Sequence, residues 1–179
     1  MTFLATLRPG LVQFEIGVQS TNPETLRAIR RGDRLDMLFV NVERLSLPRN
    51  IHLHLDLIAG LPHEGYDRFA QSFNRLYACK PNQLQLGFLK VLKGSPLESS
   101  APEYGIIYQK QPPYEVLRTN WLTFPELNRL HQGEDMVEIY YNSGRFAFLL
   151  QALVALFPNP FAFFEALSCY YVTAGYSDA

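Results

Sequence analysis

Alternation of apolar and polar residues marks three strands in the first half of the chain. Over Leu11 to Gln19, Phe14, Ile16 and Val18 fall on one face and Glu15, Gly17 and Gln19 on the other. Over Ile51 to Ala59, Ile51, Leu53, Leu55 and Leu57 alternate with His52, His54, Asp56 and Ile58. A third run spans about Gln83 to Leu92 and ends in Lys93-Gly94-Ser95-Pro96. Between the strands the period becomes helical. Met1 to Arg8 reads as the end of a helix closed by Pro9-Gly10. Thr21-Asn22-Pro23-Glu24 supplies a cap, a proline at the first helical position and an acidic first turn, and the short helix ends at Arg30-Arg31-Gly32. Leu35, Leu38, Phe39, Val42 and Leu45 sit at helical spacing before Pro48. Tyr66, Phe69, Ala70, Phe73 and Tyr77 mark a further helix that ends near Lys80-Pro81. Strand, helix, strand, helix, strand predicts parallel pairing with right-handed crossovers. Three such strands form part of a larger sheet or barrel, because strands buried on both faces need neighbours at both edges.

Beyond residue 100 the pattern is helical and aromatic. Ser99 to Pro113 is a loop rich in proline and tyrosine, and Glu115 to Leu122 a short extended piece. After Thr123, helical spacing links Leu127, Leu130, Val137 and Tyr141. Helices follow at about Phe146 to Phe157 and Phe161 to Tyr171, separated by Pro158-Asn159-Pro160. The shift near residue 100 is the one candidate boundary, dividing the chain into 1–100 and 101–179.

Composition narrows the class. The 179 residues are 47% hydrophobic and 18% charged, enough for one domain with a real core. Sixteen basic against seventeen acidic residues leave no nucleic-acid footprint. No run reaches the roughly 18 apolar residues of a membrane span, and the most apolar stretch stops at Pro158. The N-terminus has no secretory pattern. Cys79 and Cys169 make neither a disulfide framework nor a zinc site, so a reducing cytoplasm is the default expectation.

Candidate chemistry lies at the carboxyl ends of the first two strands, where α/β proteins bind ligands. Glu15, Gly17 and Gln19 form one cluster, and Asp56, Ile58 and Gly60 the other. A carboxylate and an amide suit sugar hydroxyls, and glycines let the backbone approach a flat ring. A nucleoside lying across the strand ends fits these groups. Gln19 and Asp56 are also residues that could simply cap the following helices, and Glu15 could be a paired carboxylate. His52 and His54 share a strand face, a metal-ligand spacing that packing in the sheet interior explains more simply.

The stretch Phe14-Glu15-Ile16-Gly17-Val18-Gln19-Ser20, followed by Asn22-Pro23-Glu24-Thr25-Leu26, resembles the middle of the radical SAM barrel. Asp56-Leu57-Ile58-Ala59-Gly60-Leu61-Pro62 resembles its next motif, as found in anaerobic coproporphyrinogen oxidases and cobalamin-dependent radical SAM proteins. Leu89 to Leu97 fits the following strand and loop. Asp135 to Gly144 is similar to a helical extension in a subgroup of cobalamin-binding-domain radical SAM proteins. The resemblance implies an α/β fold: a partial (half) TIM-type barrel of parallel βα units over 1–100, with a C-terminal α-helical extension over 101–179. It implies that Gln19 and Asp56 bind the ribose hydroxyls of S-adenosylmethionine. Glu15 and Gly17 would face the same pocket, and Ile58 and Gly60 would lie against the adenine. Where the family often has Gly-Glu-Thr, this chain has His63-Glu64-Gly65.

The family's [4Fe-4S] cluster rests on a Cys-x3-Cys-x2-Cys motif, and nothing here matches it. The expectation is therefore the C-terminal part of a radical SAM enzyme, without catalytic residues of its own. The cluster and any cobalamin would belong to the full-length parent, whose reaction would be radical cleavage of S-adenosylmethionine or methyl transfer. The rival expectation is a non-catalytic α/β interaction module. An open half barrel would also expose strand edges, through which the chain could form a homodimer.

Overall fold

Period-two patterning places three parallel strands side by side in the computed structural model, which describes residues 2–32 and 34–176. β1 (Val12–Gln19), β2 (Ile51–Ala59) and β3 (Gln83–Phe88) form one sheet in the order β1-β2-β3. Helix α1 (Thr2–Ala5) precedes β1. Helices α2 (Pro23–Ala28) and α3 (Leu35–Ser46) connect β1 to β2, and α4 (Tyr66–Ala78) connects β2 to β3. The sheet is an open βα array, and no closed barrel forms among the described residues.

Register fixes the two faces. Phe14 lies opposite Leu53, and Leu55 opposite Leu84. These side chains meet the helices, where Leu53, Leu55, Leu57 and Leu84 bury against Phe69, Phe73 and Leu76 of α4. The other face is polar. Glu15 pairs with His54, Gly17 with Asp56, Asp56 with Gln85 and Ile58 with Gly87. Glu15 and Gln85 stay exposed, so the sheet is sealed on its helical face and open on this one.

The third strand is shorter than the alternation predicts. The chain leaves the parallel sheet after Phe88, and Lys90 bridges to Glu115 in an antiparallel sense. Val116 N–H donates to Leu89 O and Val91 N–H to Tyr114 O, each at 2.9 Å. These bonds join the end of β3 to a small antiparallel pair, β4 (Ile107–Tyr108) and β5 (Val116–Arg118), reached through helix α5 (Pro96–Ser100).

The C-terminal third is helical. α6 (Phe124–Met136) starts in a capping box, with Thr123 and Glu126 satisfying each other's backbone N–H groups. It runs into a π-helical turn, Val137–Asn142, which inserts an extra residue into the helical spacing. That insertion aims Asn142 at the outer edge of β3. Its Oδ1 accepts from Leu84 N–H at 2.9 Å, and its Nδ2 donates to Leu84 O at 3.1 Å. A side-chain amide thus takes the place of a neighbouring strand. The outer edge of β1 has no such cover among the described residues. There the Gly17 carbonyl accepts from Arg31 instead. α7 (Ala147–Val154) and α8 (Pro160–Thr173) complete the chain, and Phe161 and Phe164 of α8 pack edge-on against Phe73 of α4. Cys169 is exposed on α8, a helix that is apolar nearly all round, so that its spacing names no inner face.

Candidate functional site

The polar groups converge at the carboxyl ends of β1 and β2. β1 reaches that end through an irregularity between Gly17 and Gln19, and Gln19 has φ +70°. A non-glycine residue seldom adopts this conformation, and such outliers concentrate at functional sites. The turn folds the Gln19 amide back over Gly17, so a Cβ on Gly17 would collide with Gln19 Nε2. Gln19 therefore stays on the Glu15 face despite the broken register. Gly17 gives the amide room to lie there.

Asp56 stands opposite Gly17, with its Oδ1 buried and without a hydrogen-bond partner. Burial pushes the Asp56 carboxyl above the usual carboxylate range. His54, whose Nε2 lies 3.5 Å from Oδ1, pulls in the opposite direction, Glu15 adds to the rise and Arg31 opposes it. Both ring nitrogens of His54 are also buried and unpartnered. Glu15 itself is exposed and accepts from Gln13 Nε2 at 3.1 Å, so it is not a buried, ion-paired carboxylate. Ile58 is half-buried beside Gly87. Gly60 has φ +88°, and a Cβ there would fall 2.6 Å from Val116 Cγ1. Close packing by β5 thus gives this glycine a structural reason of its own.

Above the strand ends lies a cleft of about 790 Å³. Gln19, Leu61 and Leu89 floor it, Leu97 and Tyr104 form an apolar wall, and Arg27, Arg30 and Arg31 bring positive charge. Of the six residues singled out from the sequence, Gln19 lines this cleft, while Glu15, Asp56 and Ile58 lie deeper on the polar face. Arg31 was not legible as a site residue. Arg30, with φ +56°, turns the chain back after α2, and Arg31 reaches Gly17 O at 2.5 Å. The Arg-Arg-Gly helix ending was the available signal, since it marks a chain reversal toward the preceding strand.

A second missed element holds the two strand-end loops together. Glu64 is fully buried, and its Oε1 accepts from Ser20 Oγ at 2.6 Å and Ser72 Oγ at 3.1 Å. Burial pushes its carboxyl up to about 7, with both serine bonds pulling the other way. Asn22 Nδ2 donates to His63 O at 2.7 Å, which ties the same loops a second time. His63, with φ +62°, packs its ring against Trp121 and Tyr104, so the unusual His63-Glu64-Gly65 turn is anchored on both sides.

Chemically, these groups are suited to binding and orienting a ligand. Carboxylate and amide oxygens accept from vicinal hydroxyls, the apolar wall covers a flat ring, and the arginines attract an anion. Among the described residues no three His, Cys, Asp or Glu side chains are placed to hold a metal ion. No helix among them is long and apolar enough to cross a membrane.

Comparison with known proteins gives two findings. Residues 102–179 match a family described as protein of unknown function, DUF4080. The chain is also similar to the solved structure of coproporphyrinogen III oxidase (HemN) from Escherichia coli, described as a radical SAM enzyme. The TM-score is 0.42 and the identity 18%, over 72% of this chain and 33% of that enzyme, so the chain spans about a third of its length. No curated protein matches.

Proposed function

We propose that this chain supplies the ribose and adenine side of an S-adenosylmethionine site in a radical SAM protein. The observation that carries the reading is that Gly17, over which the Gln19 amide folds, stands opposite Asp56 on the neighbouring strand. The buried Asp56 Oδ1 lacks a partner. An orphaned carboxylate oxygen beside a free amide fits the two neighbouring hydroxyls of a ribose. Arg31 and the other cleft arginines supply the positive charge that the carboxylate of the same ligand requires. Leu61, Leu89 and Tyr104 offer the apolar surface for its base. The motif resemblance over residues 11 to 97 supports the same ligand.

A [4Fe-4S] cluster does not fit the residues of this chain. Cys79 sits half-buried at the end of α4 and Cys169 lies exposed on α8, and no further cysteine is present. No step is derived through a cluster. The chain's own residues hold the nucleoside and fix its position. The ligands for a cluster, and cobalamin if the parent uses it, come from elsewhere in the full-length protein, which meets this chain along the open edge of β1.

Calorimetric titration of S-adenosylmethionine into the full-length protein tests the reading. Hydrogen bonds to charged groups contribute about 1.5–3 kcal/mol, so Asp56→Ala should weaken binding roughly ten- to a hundredfold. Because Asp56 Oδ1 has no hydrogen-bond partner to lose and burial outweighs its attraction to His54, the melting temperature should hold or rise. Equal affinity in the variant and the parent overturns the assignment and favours a module that works only by binding a partner.

A further inference from the structure

α7 is an apolar helix with one side uncovered among the described residues. Its sequence, AFLLQALV, carries no charge, and no charged residue occurs from Phe146 to Phe164. One side faces inward, where Leu150 is buried and Leu153 and Val154 are half-buried. The other side faces solvent. Phe148 is 92% exposed, Leu149 49% and, in the turn that continues the helix, Leu156 78%. Phe148, Ala152 and Leu156 follow one another at four-residue steps, so they share one line along the helix.

That line is large, small, large, and it is symmetric about Ala152. An antiparallel copy laid across it sets Phe148 against Leu156 of the second chain and Ala152 against Ala152. The small central residue lets the two helices approach closely, and the large residues on either side fill the flanks. A surface that complements itself under a two-fold rotation is what an isologous dimer requires. Beside the line lies an apolar cleft of about 550 Å³, bounded by Gln151 of α7, by Ala155 just after it, and by Tyr77 and Pro81. It gives the Phe148 ring of the opposing copy a place to enter.

Area and charge point the same way. With a large apolar side chain at roughly 200 Å², the exposed parts of Phe148, Leu149, Leu156 and Phe157 amount to about 500 Å² per copy. This is at the upper end of the patches that monomers leave uncovered. Two copies together bury about 1,000 Å², the lower bound for a specific interface. A membrane-surface helix pairs its apolar side with a polar side rich in Lys and Arg, and α7 has neither residue.

We propose that α7 is a homodimer interface, two copies packing antiparallel about Ala152. Pro81 precedes β3, so the interface lies at the amino ends of the strands, away from Gln19 and Gly60 at the carboxyl ends. The proposal is thus independent of the nucleotide reading.

Sedimentation equilibrium from about 1 to 100 µM tests it. The expected result is a shift toward twice the 20.5 kDa mass of the chain. Phe148→Glu and Leu156→Glu should each return the protein to monomer with unchanged circular dichroism, since both side chains are exposed in the single chain, and with a melting temperature that no longer depends on protein concentration. In a Cys79→Ser, Cys169→Ser background, Ala152→Cys should form a disulfide-linked dimer on oxidation, while Arg44→Cys on α3 should not. A monomer throughout the range overturns the proposal, as does a dimer that survives Phe148→Glu and therefore uses another surface, such as the edge of β1. Sedimentation of the monomer with phosphatidylcholine vesicles would instead assign the face to lipid and overturn it equally.

Discussion

Glu64 shows how one buried carboxyl can organise two loops. Its Oε1 takes hydrogen bonds from Ser20, next to Gln19, and from Ser72 on α4, while Oε2 is buried without a partner. Ser72 Oγ in turn accepts from Thr21 N–H at 3.0 Å. A charged carboxylate here would have one oxygen facing no donor, so the protein favours the neutral acid and its value rises from 4.5 to about 7. The folded state then holds a proton that the unfolded chain releases at lower pH. The stabilisation is complete below about pH 4.5 and is lost as pH rises through about 7. The effect is on the order of 3 kcal/mol. Melting temperatures of the wild type should therefore fall between pH 5 and 8. Glu64→Gln, neutral at every pH, should remove that part of the slope, and a variant with the same slope as the wild type would place the titration elsewhere.

At the scale of elements, the two edges of the sheet are treated differently. β3 is closed by the amide of Asn142, and the device depends on the π-helical turn that rotates Asn142 toward the strand. Asn142→Ala leaves the Leu84 N–H and C=O without a protein partner. The loss should be about 1–2 kcal/mol, or roughly 3–6 °C in melting temperature for a chain of this size. Asn142→Asp keeps the acceptor and loses the donor, so it should fall between the two, and a melting curve for Asn142→Ala that overlays the wild type would show that water replaces the amide at no cost. Neither the turn nor its role could be read from the sequence, because the spacing of Leu127, Leu130, Val137 and Tyr141 suits an uninterrupted helix. The parallel strands were legible, since alternation in β1 and β2 reports directly on a sheet with one apolar face. The end of β3 was not. Leu89 and Val91 continue the alternation, and period alone cannot say that their backbones have changed partner from β2 to β5. The common face of Glu15, Gly17, Gln19 and Asp56 was legible by the same logic, from the alternation of each strand. Arg31 and Glu64 reach the site through turns, where no periodicity applies, and Ser72 is a polar residue among the apolar ones on the buried side of α4.

For the whole molecule, the composition shift near residue 100 raises the question of whether 1–100 folds alone. The packing argues against it. Phe73, fully buried in α4, owes one side of its cover to Phe161 and Phe164. Asn74 Oδ1 accepts from Phe161 N–H at 2.8 Å, and Tyr66 donates to Glu165 at 2.7 Å, with Arg129 paired to the same carboxylate. The end of β3 finishes its backbone pairing on β5, and its outer edge depends on Asn142. Removal of 101–179 would therefore uncover the helical side of α4 and strip the hydrogen bonds from β3 at once. Truncating one large core side chain costs about 2–5 kcal/mol, and whole domains are stable by only about 5–15 kcal/mol. The loss of several such contacts together exceeds what the remaining sheet can supply. A chain of residues 1–100 should show strand and helix signals in the far ultraviolet, no cooperative thermal transition and poor amide dispersion by NMR. The intact chain should melt in one step. A cooperative transition in 1–100 would mean that the βα array is self-sufficient and that the helical third is an added layer, not part of the same folding unit.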